Sequence, residues 1–259
     1  MDEGVPRPAK SSAPRLLVVD ISNSFTKLTV AYRGRLGAVH RIPTPELNPA
    51  RLVEATEGLA FDHAVFSSVV PKRSAVVRKN LRVPLVEVNH LAPLGIGIDY
   101  PDPATIGADR LANAVACAAM HGSPAIVVDF GTAVTFDVIS GDGDYVGGVI
   151  APGLSAMTEY LHTRTALLPL IELKEPRRAV GKSTREAMLS GAVYGYRGLI
   201  SEIVRRISEE AFPGAQPKVV ATGGDSKLIA RKMPLFDAVD PLLTLHGLRL
   251  VGERAFCSV

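Results

Sequence analysis

The sequence predicts an α/β protein of two related domains, each a mixed sheet flanked by helices, with a nucleotide held in the cleft between them. Residues 126–150 read as a buried strand ending in Asp129, a Gly131-Thr132 turn, and two further strands separated by Gly141-Asp142-Gly143. Residues 16–30 have the same layout: an apolar strand closing on Val18-Val19-Asp20, a small polar turn, and a return strand. The two aspartates lie 109 residues apart, too far for a solenoid repeat and about the size of one domain. A strand-end carboxylate can hold a cation, and small turn residues let backbone N–H groups approach a phosphate. Taken alone, each stretch is equally a hairpin whose Asp closes a turn. The repetition favours one ligand shared by two halves. A chain of 259 residues is long enough for two cores, divided here as 15–115 and 116–259.

The elements follow in order. Residues 15–20 form the first strand, Ser22-Asn23-Ser24 the turn, and 25–32 the return strand. Arg33-Gly34-Arg35 makes a hairpin turn into a third strand over 36–42. Three strands in succession exclude a Rossmann fold, whose first strand passes directly into a helix. Residues 47–58 predict a helix, 64–69 a strand, 71–80 a helix with Pro71 in its first turn, and 83–88 a strand. A Gly- and Pro-rich loop over 94–103 contains Tyr100. Leu111, Ala114, Val115, Ala118 and Ala119 then have helical spacing. That helix starts at Thr105 or Gly107, so Asp109 and Arg110 fall in or beside its first turn, at the positive end of the macrodipole. The plainer alternative is an Asp placed for the dipole and an Arg paired with it.

After the central hairpin, 153–162 predict a helix and 163–173 an irregular segment around Pro169. Ser183 or Thr184 caps a long amphipathic helix, with Glu186 in its first turn. The string Gly181-Lys182-Ser183-Thr184 matches the end of a P-loop, but no strand precedes it and the first glycine of that motif is missing. Residues 219–222 form a strand, and Gly223-Gly224-Asp225-Ser226 opens the next helix. That turn suits close approach of a nucleotide, or is simply tight. Residues 243–251 begin the last helix.

Composition narrows the function class. The chain is 47% hydrophobic and 21% charged, an ordinary globular balance, and without tryptophan its core is aliphatic. A net charge of +3, with Lys and Arg scattered among acidic residues, argues against a nucleic-acid partner. Cys117 and Cys257 offer neither metal-ligand spacing nor a disulfide framework, so a reducing cytoplasm is expected. No apolar run reaches the roughly 18 residues of a membrane span. Residues 1–14 lack an apolar signal core and read as a disordered leader.

The repeated layout resembles that of the actin, Hsp70 and sugar-kinase superfamily, whose two domains are actin-like (ribonuclease H-like). Within it, the sequence resembles the type III pantothenate kinases. The segments VVDISNSFTK, GIDYPDPATIGADR, VVDFGTAVTFDVI, YVGGVIAPGL, GKSTREAMLSGAVYG and VVATGGDSKLI occur in that family's order and spacing from Leu16 onward. The resemblance implies ATP-dependent phosphorylation of the pantothenate hydroxyl to 4'-phosphopantothenate, the first step of coenzyme A biosynthesis. It also implies Mg2+, a monovalent cation (K+ or NH4+) and a homodimer.

Residue roles follow from the same resemblance. Asp20, Ile21, Ser22, Asn23, Ser24, Phe25, Thr26 and Lys27 would form the first phosphate loop, with Asp20 organising hydrated magnesium. Asp109 would be the general base. Gly107, Ala108, Asp109 and Arg110 would line the pantothenate pocket, Arg110 meeting the substrate carboxylate. Tyr100 would touch substrate, as would Thr184 near the dimer interface. Asp129 would bind the monovalent cation, Thr132 would contact ATP, and Gly223 and Gly224 would lie beside the adenosine.

One position departs from the family. Its first loop usually reads Asp-x-Gly-Asn-Thr, and here it reads Asp20-Ile21-Ser22-Asn23-Ser24. Ser24 keeps a hydroxyl. Ser22 adds a side chain where backbone nears phosphate, and a positive φ there would be strained. Weakened ATP binding with an intact fold is the expectation. It is also the sole support for an alternative, a catalytically weak accessory or regulatory protein on the same scaffold. A sugar or acetate kinase fits the 107–110 loop and the short chain poorly.

Overall fold

β1 (Leu16–Ile21) is buried along its whole length, because it is the central strand of a sheet covered on both faces. In the computed structural model, which describes residues 13–256, its alternate side chains enter two different cores. Leu17, Val19 and Ile21 pack with Leu52 and Val77, whereas Leu16 and Val18 pack with Leu111, Leu248 and Val251. Residues 1–12 of the expected leader, and Cys257, lie outside the described residues.

β2 (Phe25–Tyr32) returns antiparallel to β1. The expected third strand is two pieces, β3 (Arg35–Leu36) and β4 (His40–Pro43), both paired to β2. The Gly37 amide donates to the Val30 carbonyl at 2.9 Å; the chain then leaves the ladder and rejoins β2 at His40. α1 (Pro49–Thr56) is shorter than the predicted 47–58, because Asn48 caps it by accepting from the Arg51 amide and Pro49 takes the first helical position. β5 (His63–Ser68), α2 (Pro71–Asn80) and β6 (Leu85–Glu87) complete this half, both strands running parallel to β1.

α3 (Ala108–Met120) leads into the second half, with Gly107 as its cap residue. β7 (Ala125–Phe130), β8 (Ala133–Ile139) and β9 (Tyr145–Pro152) form an antiparallel run. α4 (Leu154–Arg164) follows, then residues 165–183 without helix or strand, then α5 (Thr184–Ala211). Ser183 caps α5 by accepting from the Glu186 amide at 3.2 Å, and the Glu186 carboxylate accepts from the Lys182 amide at 2.7 Å. β10 (Lys218–Gly223), α6 (Ser226–Ala230), β11 (Ala238–Val239) and α7 (Leu243–Phe256) close the chain.

The sheet orders are β3-β2-β1-β5-β6 and β9-β8-β7-β10-β11, with β4 also on β2. Each has a central Asp-ending strand, antiparallel neighbours on one side and parallel neighbours on the other. The sequence repeat is therefore a structural repeat.

Each half has an apolar cluster of its own, and a third cluster joins the two. α3 and α7 pack on each other between the sheets, and one apolar cluster joins Leu16, Val18 and Val65 to Val127 and Val220 through both helices. The division expected after residue 115 falls inside α3, and α7 packs on β1 and β5 of the first sheet. Gly247 makes the helix contact close, since a Cβ there would collide with the Ala112 carbonyl of α3. Gly247→Ala is expected to destabilise the protein by about 1–3 kcal/mol through overpacking, measured as a lower denaturant midpoint.

Candidate active site

The strand-end aspartates acquire their partners from sheet register. Asp20 lies opposite Lys27 on β2 and Ser67 on β5. Its buried carboxylate accepts from Ser67 Oγ at 3.1 Å and Ser22 Oγ at 3.0 Å, and lies 3.6 Å from Lys27 Nζ. Asp129, its counterpart, lies opposite Thr135 on β8 and Thr222 on β10. It accepts from Asn113 Nδ2 at 3.0 Å. The two turns meet, with Ser24 Oγ 2.9 Å from Thr132 Oγ1.

Between them is a cleft of about 360 Å³. Asp20, Ser22, Asn23, Ser24, Phe25, Lys27, Asp109, Asp129, Thr132, Gly223 and Gly224 all line it. Two members of the expected phosphate loop do not. Ile21 is wholly buried in the first core, and Thr26 is buried with its hydroxyl 3.1 Å from that of Thr44. Strand alternation turns both side chains away from the cleft. Ser22 is unstrained, since Arg33 is the one non-glycine with positive φ among the described residues. Its hydroxyl instead supplies Asp20 with a donor.

Asp109, half-buried in the first turn of α3, accepts from the Arg110 amide at 2.9 Å. Burial, then the charges of Asp20 and Asp129, push its pKa from 3.8 up to about 6. Burial also raises Asp129, opposed by the Asn113 hydrogen bond and Lys27. Gly223 sits against Asp129 with φ +88°, where any Cβ would strike that carboxylate and the Phe130 backbone.

The remaining expected substrate residues form a neighbouring cluster outside the cleft lining. Arg110 Nε donates to Asp137 Oδ1 at 2.6 Å, and its guanidinium lies 5.6 Å from the Tyr145 ring centroid. Tyr100 meets that ring edge-on at 6.2 Å. Gly148 completes the slot, because a Cβ there would collide with the Phe136 carbonyl and crowd Arg110. Gly107 and Ala108 begin α3 beside them. Thr184 is exposed at the start of α5 and does not line the cleft.

Several contributors were missed from sequence. Asn113 stands one turn after Asp109, and Asp137 two residues after Thr135, so helix and strand periodicity could have indicated both. Arg41, Asp225 and Thr244 also line the cleft. Thr244 carries no local signal, since only tertiary packing brings α7 there.

Asp20, Asp109, Asp129 and Asp225 outnumber Lys27 and Arg41 in the lining. Among the described residues no group of three His, Cys, Asp or Glu could hold a metal ion. The carboxylate oxygens of the lining are donors of the kind a magnesium ion takes, one or two at a time, while sharing its coordination with phosphates and water.

A family model described as Type III pantothenate kinase matches residues 16–206. The curated "Type III pantothenate kinase" of Akkermansia muciniphila is 51% identical over 237 residues, covering 91% of this chain and 97% of the relative. That of Methylacidiphilum infernorum is 44% identical over 238 residues, covering 92% and 88%. The chain belongs to the type III pantothenate kinase family. Its activity is ATP-dependent phosphorylation of pantothenate in coenzyme A biosynthesis, with ATP and a divalent metal ion as the family requires. Solved structures agree on fold alone. The ethanolamine utilization protein EutJ from Carboxydothermus hydrogenoformans has a TM-score of 0.57 at 17% identity, covering 95% of this chain and 92% of that one. An archaeal actin homolog has a TM-score of 0.51 at 13% identity, covering 93% and 99%. No helix among the described residues is long and apolar enough to cross a membrane.

The Asp109 carboxyl ionises near pH 6, so a reaction that needs it ionised is expected to lose kcat/KM for pantothenate below about pH 6 and level off above it. Stability runs the other way. The folded carboxyl holds its proton more tightly than the unfolded one, so stability from this group declines as pH rises from 3.8 through about 6. Asp109→Asn should therefore raise the melting temperature at pH 7.5.

Proposed function

We propose that Asp109 takes the proton from the pantothenate hydroxyl while the two repeat-related turns hold the ATP phosphates. The observation that carries this is a half-buried carboxylate of raised proton affinity, set between Asp20 and Asp129 at the cleft. In a loose phosphoryl-transfer transition state the hydroxyl loses its proton late, so a carboxylate suffices if it is well placed. Near pKa 6 it accepts that proton better than an ordinary Asp would.

Asp20 is the residue to hold hydrated magnesium, with Lys27, Ser24 and Thr132 available to the phosphates and Gly223 and Gly224 to the adenosine. Asp129 is the residue to hold a monovalent cation, K+ or NH4+. Such cations, when bound, offset phosphate charge in a cleft rich in carboxylates. Ile21 and Thr26 are left to shape the loop from below. Arg110 meets the pantothenate carboxylate chiefly through Nη1, because Asp137 occupies Nε and Nη2 donates to the Phe136 carbonyl at 3.4 Å. Tyr100, Gly107 and Ala108 line that end. The accessory-protein reading loses its one support, since Ser22 is unstrained.

The working form is a homodimer in the cytoplasm, formed through α4 and α5. Tyr160, Leu161 and Tyr194 are exposed there beside an apolar groove lined by Met157, Met188 and Ala192. Gly191, Gly195 and Gly198 leave open space on α5, at about 1 kcal/mol each against Ala in a helix, which suits close approach of a second helix. Thr184, exposed at the start of α5, then contacts pantothenate near that interface.

The test is ATP turnover with pantothenate in potassium and in sodium. Potassium-dependent turnover, absent in Asp109→Asn, is expected. Asp137→Asn should raise KM for pantothenate on the order of tenfold and leave KM for ATP unchanged; equal effects on both would remove Arg110 from the substrate carboxylate. Light scattering should give twice the chain mass of 27.5 kDa, and a monomer for Gly195→Arg. A wild-type monomer would refute the dimer.

A further inference from the structure

We infer that Asn113 and Thr244 are positioning residues for Asp129, and that through them the last helix of the chain fixes how this carboxylate faces the cleft. Asn113 is fully buried on α3 and Thr244 nearly so on α7. Thr244 Oγ1 donates to Asn113 Oδ1 at 2.8 Å, and Asn113 Nδ2 donates to Asp129 Oδ2 at 3.0 Å. An amide has one donor end and one acceptor end. With the Thr244 hydroxyl on Oδ1, the donor end must face Asp129. The reverse flip would set Oδ1 against a carboxylate.

The consequence lies at the other carboxylate oxygen. Asn113 occupies Oδ2, and Oδ1 is left toward the glycine turns at Gly131 and Gly223, where the cleft opens. Asn113 also favours the ionised form of Asp129 against burial. The relay crosses the molecule's seam. Asp129 ends the central strand of the second sheet, whereas Thr244 lies on the helix that packs against β1 and β5 of the first. A single hydroxyl on α7 thus links the lobe bearing Asp20 to the orientation of Asp129.

This inference rests on Asp129 acting in the cleft, and the test separates the two. Thr244→Val removes the donor at nearly constant volume, and Thr244→Ser keeps it. Loss of a hydrogen bond to a metal-ligating carboxylate weakens metal affinity about tenfold or more, and loss of the bond that holds its partner Asn113 acts one step further out, with an expected weakening of roughly threefold. The half-activating potassium concentration should rise by that factor in Thr244→Val, return in Thr244→Ser, and leave KM for pantothenate unmoved. The potassium-induced rise in melting temperature, read without turnover, should shrink in the same variant. Should the valine variant not fold, Thr244→Ala removes the same donor and carries the same expectation. In an Asp129→Asn background, Thr244→Val should add nothing. If Asp129→Asn leaves the potassium response intact, the cation reading of Asp129 fails. The positioning inference is then decided by whether Thr244→Val changes the same kinetic parameter as Asp129→Asn, without additivity. A wild-type response in Thr244→Val, or additive effects in the double variant, would overturn it.

Discussion

The structure depends on one arrangement used twice: a carboxylate at the end of a strand that is otherwise apolar and central in its sheet. Burying β1 on both faces is favourable because Leu16 to Val19 and Ile21 are aliphatic. The same burial makes Asp20 costly unless it is paired. Register supplies the pairing, because the residues opposite Asp20 are Lys27 and Ser67. Shifting β2 by one residue would put Lys27 on the wrong face and leave a buried charge without its cation. The site and the sheet register are thus one constraint.

That constraint explains what was legible from sequence. The repeat of apolar strand, Asp and small-residue turn encodes both the fold class and the two carboxylates, so Asp20, Asp129 and the cleft between them could be placed from spacing. Helix α3 was legible because Leu111, Ala114 and Val115 mark its buried face, which puts Asp109 in its first turn. Side-chain direction within the first loop was less so. Ile21 and Thr26 sit at the junctions of turn and strand, where alternation decides which way they point and the exact strand ends decide the alternation. The split between β3 and β4 was invisible for a similar reason, since it depends on the Gly37 amide finding the Val30 carbonyl. The Thr244–Asn113 bond joins residues 131 positions apart, and no local pattern encodes it.

Burial also changes what the charged residues are for. Arg110 could have been a solvated partner of Asp109 at a helix start. Instead its Nε is held by buried Asp137, its guanidinium lies over Tyr145, and Gly148 keeps the adjacent strand clear of it. A guanidinium fixed on one edge presents its remaining donors in one plane, which suits bidentate recognition of a carboxylate. Asp109 then owes its proton affinity to Asp20 and Asp129 as well as to burial. The repeat therefore raises the proton affinity of Asp109 as well as shaping the turns that face the cleft.

The two halves have diverged in how they neutralise their aspartate. Asp20 has a cation at 3.6 Å and two hydroxyl donors. Ser22, where the family usually has glycine, increases that support. Asp129 has a neutral amide as its hydrogen-bond partner and feels Lys27 only as a more distant charge. A phosphate chain bound across both turns would meet two carboxylates, with Lys27 the cation whose charge reaches both. Without a cation at Asp129, carboxylate and phosphate would repel at short range in a medium that screens poorly. The excess of carboxylates over cations in the lining favours a nucleotide phosphate chain that arrives with its own magnesium.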